Sequence, residues 1–272
     1  MVQSRRKPAA AKATAGKNSA FTMKPGADDN VDVHIIRPGI RCDTERRGFK
    51  TRRGRSPLEI VVDASEGFIP LWAPNTTLRW RFQERSFQVF EDPAAAKQAV
   101  TQLMAEAILL WGNAAPVKFS YRDDAWDFEV VMRNADDCTN SGCVLASAFF
   151  PDAGQHQVTI YPQMFSQDRA EQVETMAHEI GHVFGLRHFF AVLKETDWPS
   201  EIFGEHEKFS IMNYGDASKM TDADRDDLRE LYEQAWAGTL KEINGTPIKF
   251  MSPFHASGQA TEAVIAIAAA AK

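Results

Sequence analysis

Three cysteines are too few to staple a chain of 272 residues, and an odd number cannot all pair. A disulfide scaffold is therefore excluded, and the fold has to rest on a buried core. Cys138 and Cys143 enclose a short Thr-Asn-Ser-Gly loop. They could bridge in an oxidising compartment or stand as free thiols on either side of a turn; both readings stay open. Long apolar runs are missing too. None reaches the roughly 18 residues that a bilayer-spanning helix needs, so no membrane span is expected. The first 20 positions hold no acidic residue and no apolar stretch of the kind a secretory signal carries. A disordered tail is the preferred reading there, ahead of a transit segment. This leaves a cytoplasmic or non-classically secreted location as the expectation. No internal repeat is visible.

What is present is an ordinary globular composition, 44% hydrophobic and 25% charged, with an uneven charge. Residues 1–55 hold 14 Lys and Arg against 5 Asp and Glu, a balance of +9. The remainder holds 17 against 32, or -15, and the two add to the net -6 of the whole chain. An acidic body with a basic arm does not read as a nucleic-acid binder, although the arm alone could meet an acidic surface, its own body included. A monomer is the default. The basic segment 1–55 lacks periodicity and is read as a largely disordered extension, 56–245 as the folded domain, and the Ala-rich 246–272 as a tail.

Within the body, Leu58, Ile60 and Val62 alternate as in a strand, and Leu78, Trp80 and Phe82 alternate with Arg79, Arg81 and Gln83. Asp92 before Pro93 makes a good helix start. Ala96, Val100, Leu103, Ala107, Ile108 and Trp111 then form one apolar face, ending near Gly112. Strands are expected at 117–121, 126–133, 144–150 and 157–161, and a helix at 169–185. Irregular chain at 189–209 precedes a last helix at 222–236, capped by Thr221 and ended by Gly238. This order predicts an α+β domain with a helix-backed twisted sheet.

Residues 178–188 read His-Glu-Ile-Gly-His-Val-Phe-Gly-Leu-Arg-His. On a helix, His178 and His182 lie one turn apart on one face and can point at one metal ion. Zinc takes imidazole nitrogen at about 2.0–2.1 Å. Glu179 projects beside the pair, placed to reach a water rather than to share a ligand position. His188 cannot join if the helix simply continues. Gly185 tolerates positive φ, so the chain can turn there and bring His188 round. Three imidazoles leave a fourth position open, which marks a catalytic rather than a structural site. The short His-Glu-x-x-His match arises by chance in roughly one chain of this length in a hundred. The added Gly and His lower that roughly a thousandfold, so incidental surface histidines are set aside.

The stretch 178–188 resembles the metzincin zinc motif. Ser210-Ile211-Met212-Asn213-Tyr214-Gly215 is similar to the Met-turn of the same family, in the form found in its astacin and serralysin branches. The helix from Thr221 to Tyr232 resembles the matrixin C-terminal helix, and 146–151 the matrixin edge-strand region that holds substrate. The resemblance spans about residues 70–236. It implies a zincin fold: a twisted mixed sheet backed by two helices, the zinc helix in the cleft, then a C-terminal helix. It implies one catalytic zinc on His178, His182 and His188, with Glu179 as general base and later proton donor. Met212 would be a hydrophobic floor beneath the metal, and Tyr214 a zinc ligand or oxyanion partner. The activity implied is metalloendopeptidase cleavage of protein or peptide substrates, extracellular by family analogy.

Phe189 follows the third histidine and matches neither the matrixin nor the astacin habit, so the branch stays open. Calcium has no supporting loop; Asp123, Asp124 and Asp127 are the nearest candidates and read better as a solvated acidic loop. Two rival readings remain. A glutamate could be the third ligand, with Glu201 and Glu205 suitably downstream. Alternatively, the domain could be a catalytically silent peptide binder. Matrixins also use a pro-segment cysteine thiolate for latency. Cys42, in Arg41-Cys42-Asp43, matches that pattern poorly and is read as an ordinary free cysteine. His34, His156, His206 and His255 are read as surface or loop histidines.

Overall fold

The alternation read at 78–83 forms the centre of the main sheet. In the computed structural model, residues 39–42, 60–64, 66–139, 142–188, 200–203, 210–212 and 219–257 are described. Tyr214, Phe189, Glu205, most of 1–55 and the Ala-rich 258–272 lie outside them. Strand β4 (Thr77–Phe82) buries Leu78, Trp80 and Phe82 and leaves Thr77, Arg79 and Arg81 half-buried, as period-two patterning requires. Strands β1 (Gly39–Cys42), β5 (Lys118–Tyr121), β6 (Phe128–Met132), β7 (Asp137–Thr139), β8 (Gly142–Ser147) and β9 (His156–Ile160) complete a seven-stranded sheet. Its order is β1-β8-β9-β6-β4-β5, with β7 hairpinned to β8. The pairs β9–β6, β6–β4 and β4–β5 are parallel, while β8 runs antiparallel to β9, so the sheet is mixed.

Two helices back this sheet. Short α1 (Glu84–Phe87) leads into α2 (Pro93–Trp111), whose Asp92 side chain accepts the Ala95 N–H at 2.9 Å. Helix α2 buries Ala96, Val100, Leu103, Met104, Ala107 and Trp111, the expected face with Met104 in place of half-buried Ile108. It ends at Gly112, where φ is +57°. Helix α3 (Arg169–Val183) packs against α2 and carries the first two motif histidines. Asp168 and Glu171 close a reciprocal capping box at its start. Helix α4 (Asp222–Trp236) follows under the Thr221 cap. No described helix is long and apolar enough to cross a membrane.

Two small sheets frame the end of α3. Strand β2 (Ile60–Asp63) sits between β10 (Leu186–Arg187) and β11 (Ser200–Phe203), antiparallel to both. Strand β3 (Ile69–Trp72) pairs in parallel with β13 (Thr246–Met251), which hairpins with β12 (Glu242–Ile243). The hairpin turns at Asn244 and Gly245, with φ of +53° and +86°. An Asn-Gly pair with both φ positive is a strong two-residue hairpin signal. The apolar stretch 246–251, placed in the tail by its position, therefore forms a strand of the folded body, and Gly39–Cys42 likewise joins the sheet from within the expected extension.

Candidate metal centre

Helix α3 sets the first pair of ligands. His178 and His182 stand one turn apart with ring centroids 4.8 Å from each other. The chain then stops being helical. Gly185 adopts φ of +93°, and a Cβ built there would lie 3.1 Å from the Pro70 carbonyl oxygen. Glycine is thus required twice, by the backbone angle and by the close approach of β3. The reversed chain is clamped at once, because the Gly185 carbonyl accepts the Asp63 N–H at 2.9 Å. Leu186 and Arg187 then pair in register with Val62 and Val61.

That clamp delivers His188 to the other two rings. Its centroid lies 4.8 Å from that of His182 and 5.0 Å from that of His178, so the three rings form a near-equilateral triangle. The Nε2 atoms of His178 and His188 are 3.0 Å apart, and the three ligand atoms lie within 4.8 Å of one another. His182 and His188 are fully buried and His178 is half-buried.

The outer faces of two rings are held by backbone. His178 Nδ1 lies 2.8 Å from the Ile211 carbonyl oxygen, and His182 Nδ1 lies 2.7 Å from that of Leu186. A carbonyl only accepts, so each Nδ1 carries the proton and each Nε2 turns a lone pair inward. Burial, then the neighbouring His188 and His178 rings, hold the His182 pKa well below the usual imidazole value. The neutral ring favoured by this is the form a metal ion takes. The donor set, its tautomers and its spacing fit zinc. Phe150 closes one side, its ring edge-on to His182 at 5.5 Å.

The end of α3 is held from the core. The Trp72 indole donates to the Val183 carbonyl at 2.7 Å, and the Tyr232 hydroxyl donates to that of Phe184 at 2.9 Å. The Trp111 indole reaches the Ala177 carbonyl at 2.9 Å. Carbonyls at a buried helix end need partners, and the polar ends of large aromatics supply them without opening the core to water. Burial raises the Tyr232 phenol above its ordinary pKa, which keeps it a hydroxyl donor.

Glu179 is buried, one residue beyond the first ligand. Met212 is buried as well. A Cβ added to Gly181 would fall 2.4 Å from the Met212 sulfur and 3.1 Å from Trp111 Cζ2. Gly181, an unspecified position of the motif as read from the sequence, is therefore what lets Met212 approach α3 between the two histidines. We expect Gly181→Val to cost on the order of 1–3 kcal/mol through overpacking against Met212 and Trp111. The lowered denaturant midpoint checks it, and an unchanged midpoint would mean that Met212 moves aside freely.

Tyr214 and Glu205 lie outside the described residues. Glu201 falls in β11, its backbone in register with Val62. The acidic cluster does not gather. Asp127 is buried, its carboxylate accepting the Arg79 N–H at 2.6 Å and the His255 N–H at 2.8 Å. It also meets His255 Nδ1 at 2.8 Å, so His255 is a tether for the C-terminal segment rather than a loop histidine. Asp123 instead accepts the exposed Tyr121 hydroxyl at 3.1 Å. Among the described residues, the metal-ligating cluster is the histidine triangle. Cys138 and Cys143 are joined by a disulfide across the β7–β8 hairpin. Cys42 ends β1 in register with Ala146.

Fold and site together place three histidines as the candidate ligands of one zinc ion. Residues 72–194 match the sequence profile of the family described as matrixin, so this stretch of the chain is similar to the matrixins. No curated protein matches the chain in sequence. Among solved structures, one described as "Structure of myroilysin" is 12% identical, with a TM-score of 0.41, covering 63% of this chain and 98% of that one.

Proposed function

We propose that the domain is an endopeptidase that hydrolyses internal peptide bonds of extended protein or peptide substrates. Zinc held by His178, His182 and His188 would polarise the scissile carbonyl and bring the pKa of a water toward about 7. Glu179 takes a proton from the attacking water and hands it to the leaving amine. Its burial beside the ligands supports this role, since a carboxylate screened from bulk water acts more strongly on a nearby proton. Met212 packs as an apolar floor that keeps the ligand rings in place. Tyr214 follows by two residues and is assigned to the oxyanion on the resemblance of its turn alone.

The substrate would lie extended along the 146–151 stretch by main-chain pairing, as the resemblance of that stretch implies. Gly39–Cys42 already fills the β8 edge in register from Gly142 to Ala146, so a substrate strand there would have to displace it or pair beyond Ala146.

The observation that carries the reading is the closing of three imidazoles on one point, with the outer nitrogens of two of them bound to carbonyls. The test is zinc content measured with peptide cleavage on the purified full chain. About one zinc per chain is expected, with cleavage of a peptide library lost on chelation and regained with zinc. A zinc-loaded chain that cleaves nothing would instead indicate a silent peptide-binding domain.

A further inference from the structure

The motif names three ligands and a carboxylate, but it does not explain what holds the turn beneath them. Ser210, Ile211 and Met212 of that turn are buried. Its polar groups converge on one residue of α4. Asp224 is 3% exposed, and its Oδ1 accepts the Ser210 hydroxyl at 2.5 Å. Its Oδ2 accepts the Ile211 N–H at 3.2 Å, and the Thr221 N–H and Thr221 hydroxyl at 2.8 Å each. Ser210 Oγ accepts the Met212 N–H at 3.1 Å in turn. The Ile211 carbonyl then points the other way and takes the His178 Nδ1 proton.

We propose that Asp224 is a positioning residue for the metal centre, acting through Ser210 and Ile211 to fix the His178 ring and the seat of Met212. The assignment rests on the reading that the three histidines hold zinc. The chemistry favours a carboxylate at this point. Four donors meet two oxygens, which together offer about four lone-pair sites. An amide in the same place accepts on one atom only, and its NH2 would face donors. The site also lies in the first turn of α4, where backbone N–H groups favour negative charge. One buried carboxylate thus holds the chain at two adjacent residues, Ser210 and Ile211.

The geometry separates this role from helix capping. Thr221 and Asp224 form a reciprocal cap that would stabilise α4 whatever lay beneath it. The Ser210 and Ile211 bonds form a second arm that runs only to the turn. Groups that orient a metal-bound histidine typically change metal affinity by about 10–100-fold when altered. Loss of the second arm frees the Ile211 carbonyl and lets His178 exchange tautomers. Loss of the cap arm weakens α4 and leaves the turn attached.

The experiment compares Ser210→Ala, Asp224→Asn and Thr221→Ala in the full chain, with His188→Ala as the control for the zinc reading. Each is titrated with zinc against a chromophoric chelator, loaded with cobalt(II) for its visible spectrum, and melted thermally. Ser210→Ala and Asp224→Asn should bind zinc about 10–100-fold more weakly and shift the cobalt spectrum. Thr221→Ala should melt lower and keep its zinc affinity within about twofold, since only the cap is lost. Wild-type zinc affinity and an unchanged cobalt spectrum in both Ser210→Ala and Asp224→Asn would overturn the proposal. Failure of the zinc reading looks different: the wild-type chain would then bind zinc no better than His188→Ala.

Discussion

A Glu179→Gln chain should keep its zinc and lose peptide cleavage by about 10²–10⁴-fold, the range that a positioned general acid–base supplies. Glutamine has nearly the same shape, so the buried site on α3 stays filled. It cannot take a proton from water at neutral pH and hence has none to give to the leaving amine. The loss should fall on kcat, because the carboxylate acts on the reacting proton rather than on substrate affinity. Zinc content and single-turnover cleavage, measured together, check this. Retention of wild-type kcat would remove Glu179 from the proposed mechanism, leaving the metal centre intact.

His188→Ala should release the metal. Two histidines on one helix turn remain, and a pair of neutral donors cannot close a zinc site of the usual three protein ligands. The loss in affinity should exceed the 10–100-fold typical of a change outside the ligands themselves. The variant should still fold, because β10 pairs with β2 through Leu186 and Arg187, not through His188. Zinc content after dialysis and a circular dichroism spectrum check both halves. Stoichiometric zinc in folded His188→Ala would move the third ligand elsewhere, the downstream glutamates being the rival.

Both expectations rest on local spacing, which the sequence carries directly. A helical turn brings His178 onto His182, and a glycine three residues beyond His182 lets the chain reverse. Strand β4 and helix α2 were legible for the same reason. Their apolar residues repeat with periods near 2 and 3.6, and Asp92 and Gly112 punctuate the ends of the helix. The ends of the domain were less legible. Gly39–Cys42 lies in a basic, aperiodic segment, and its strand exists only because β8 offers an edge. Thr246–Met251 carries little alternation; the Asn244-Gly245 turn that leads into it was a readable signal that position near the terminus obscured.

Asp127 shows a different limit. Three aspartates close in sequence suggested a loop facing water, yet Asp127 is turned inward to meet the Arg79 N–H and His255, a residue far along the chain. A carboxylate's environment depends on which distant donors reach it, and no local pattern records that.

From the order of its residues alone, this chain determined the ligand set, the turn that bends the third ligand back, and the α+β succession of elements. Those follow from backbone periodicity and from the φ freedom of glycine, which act over a few residues. Tertiary structure decided what surrounds the ligands: Met212 against Gly181, Ile211 on His178, Asp224 under both, and the aromatic donors at the end of α3. These contacts join residues as far as 111 positions apart, as between Trp72 and Val183, and arise only when separate elements pack into one core. A buried polar group must find its partner wherever the fold brings one, so the supports of the metal centre became visible only in three dimensions.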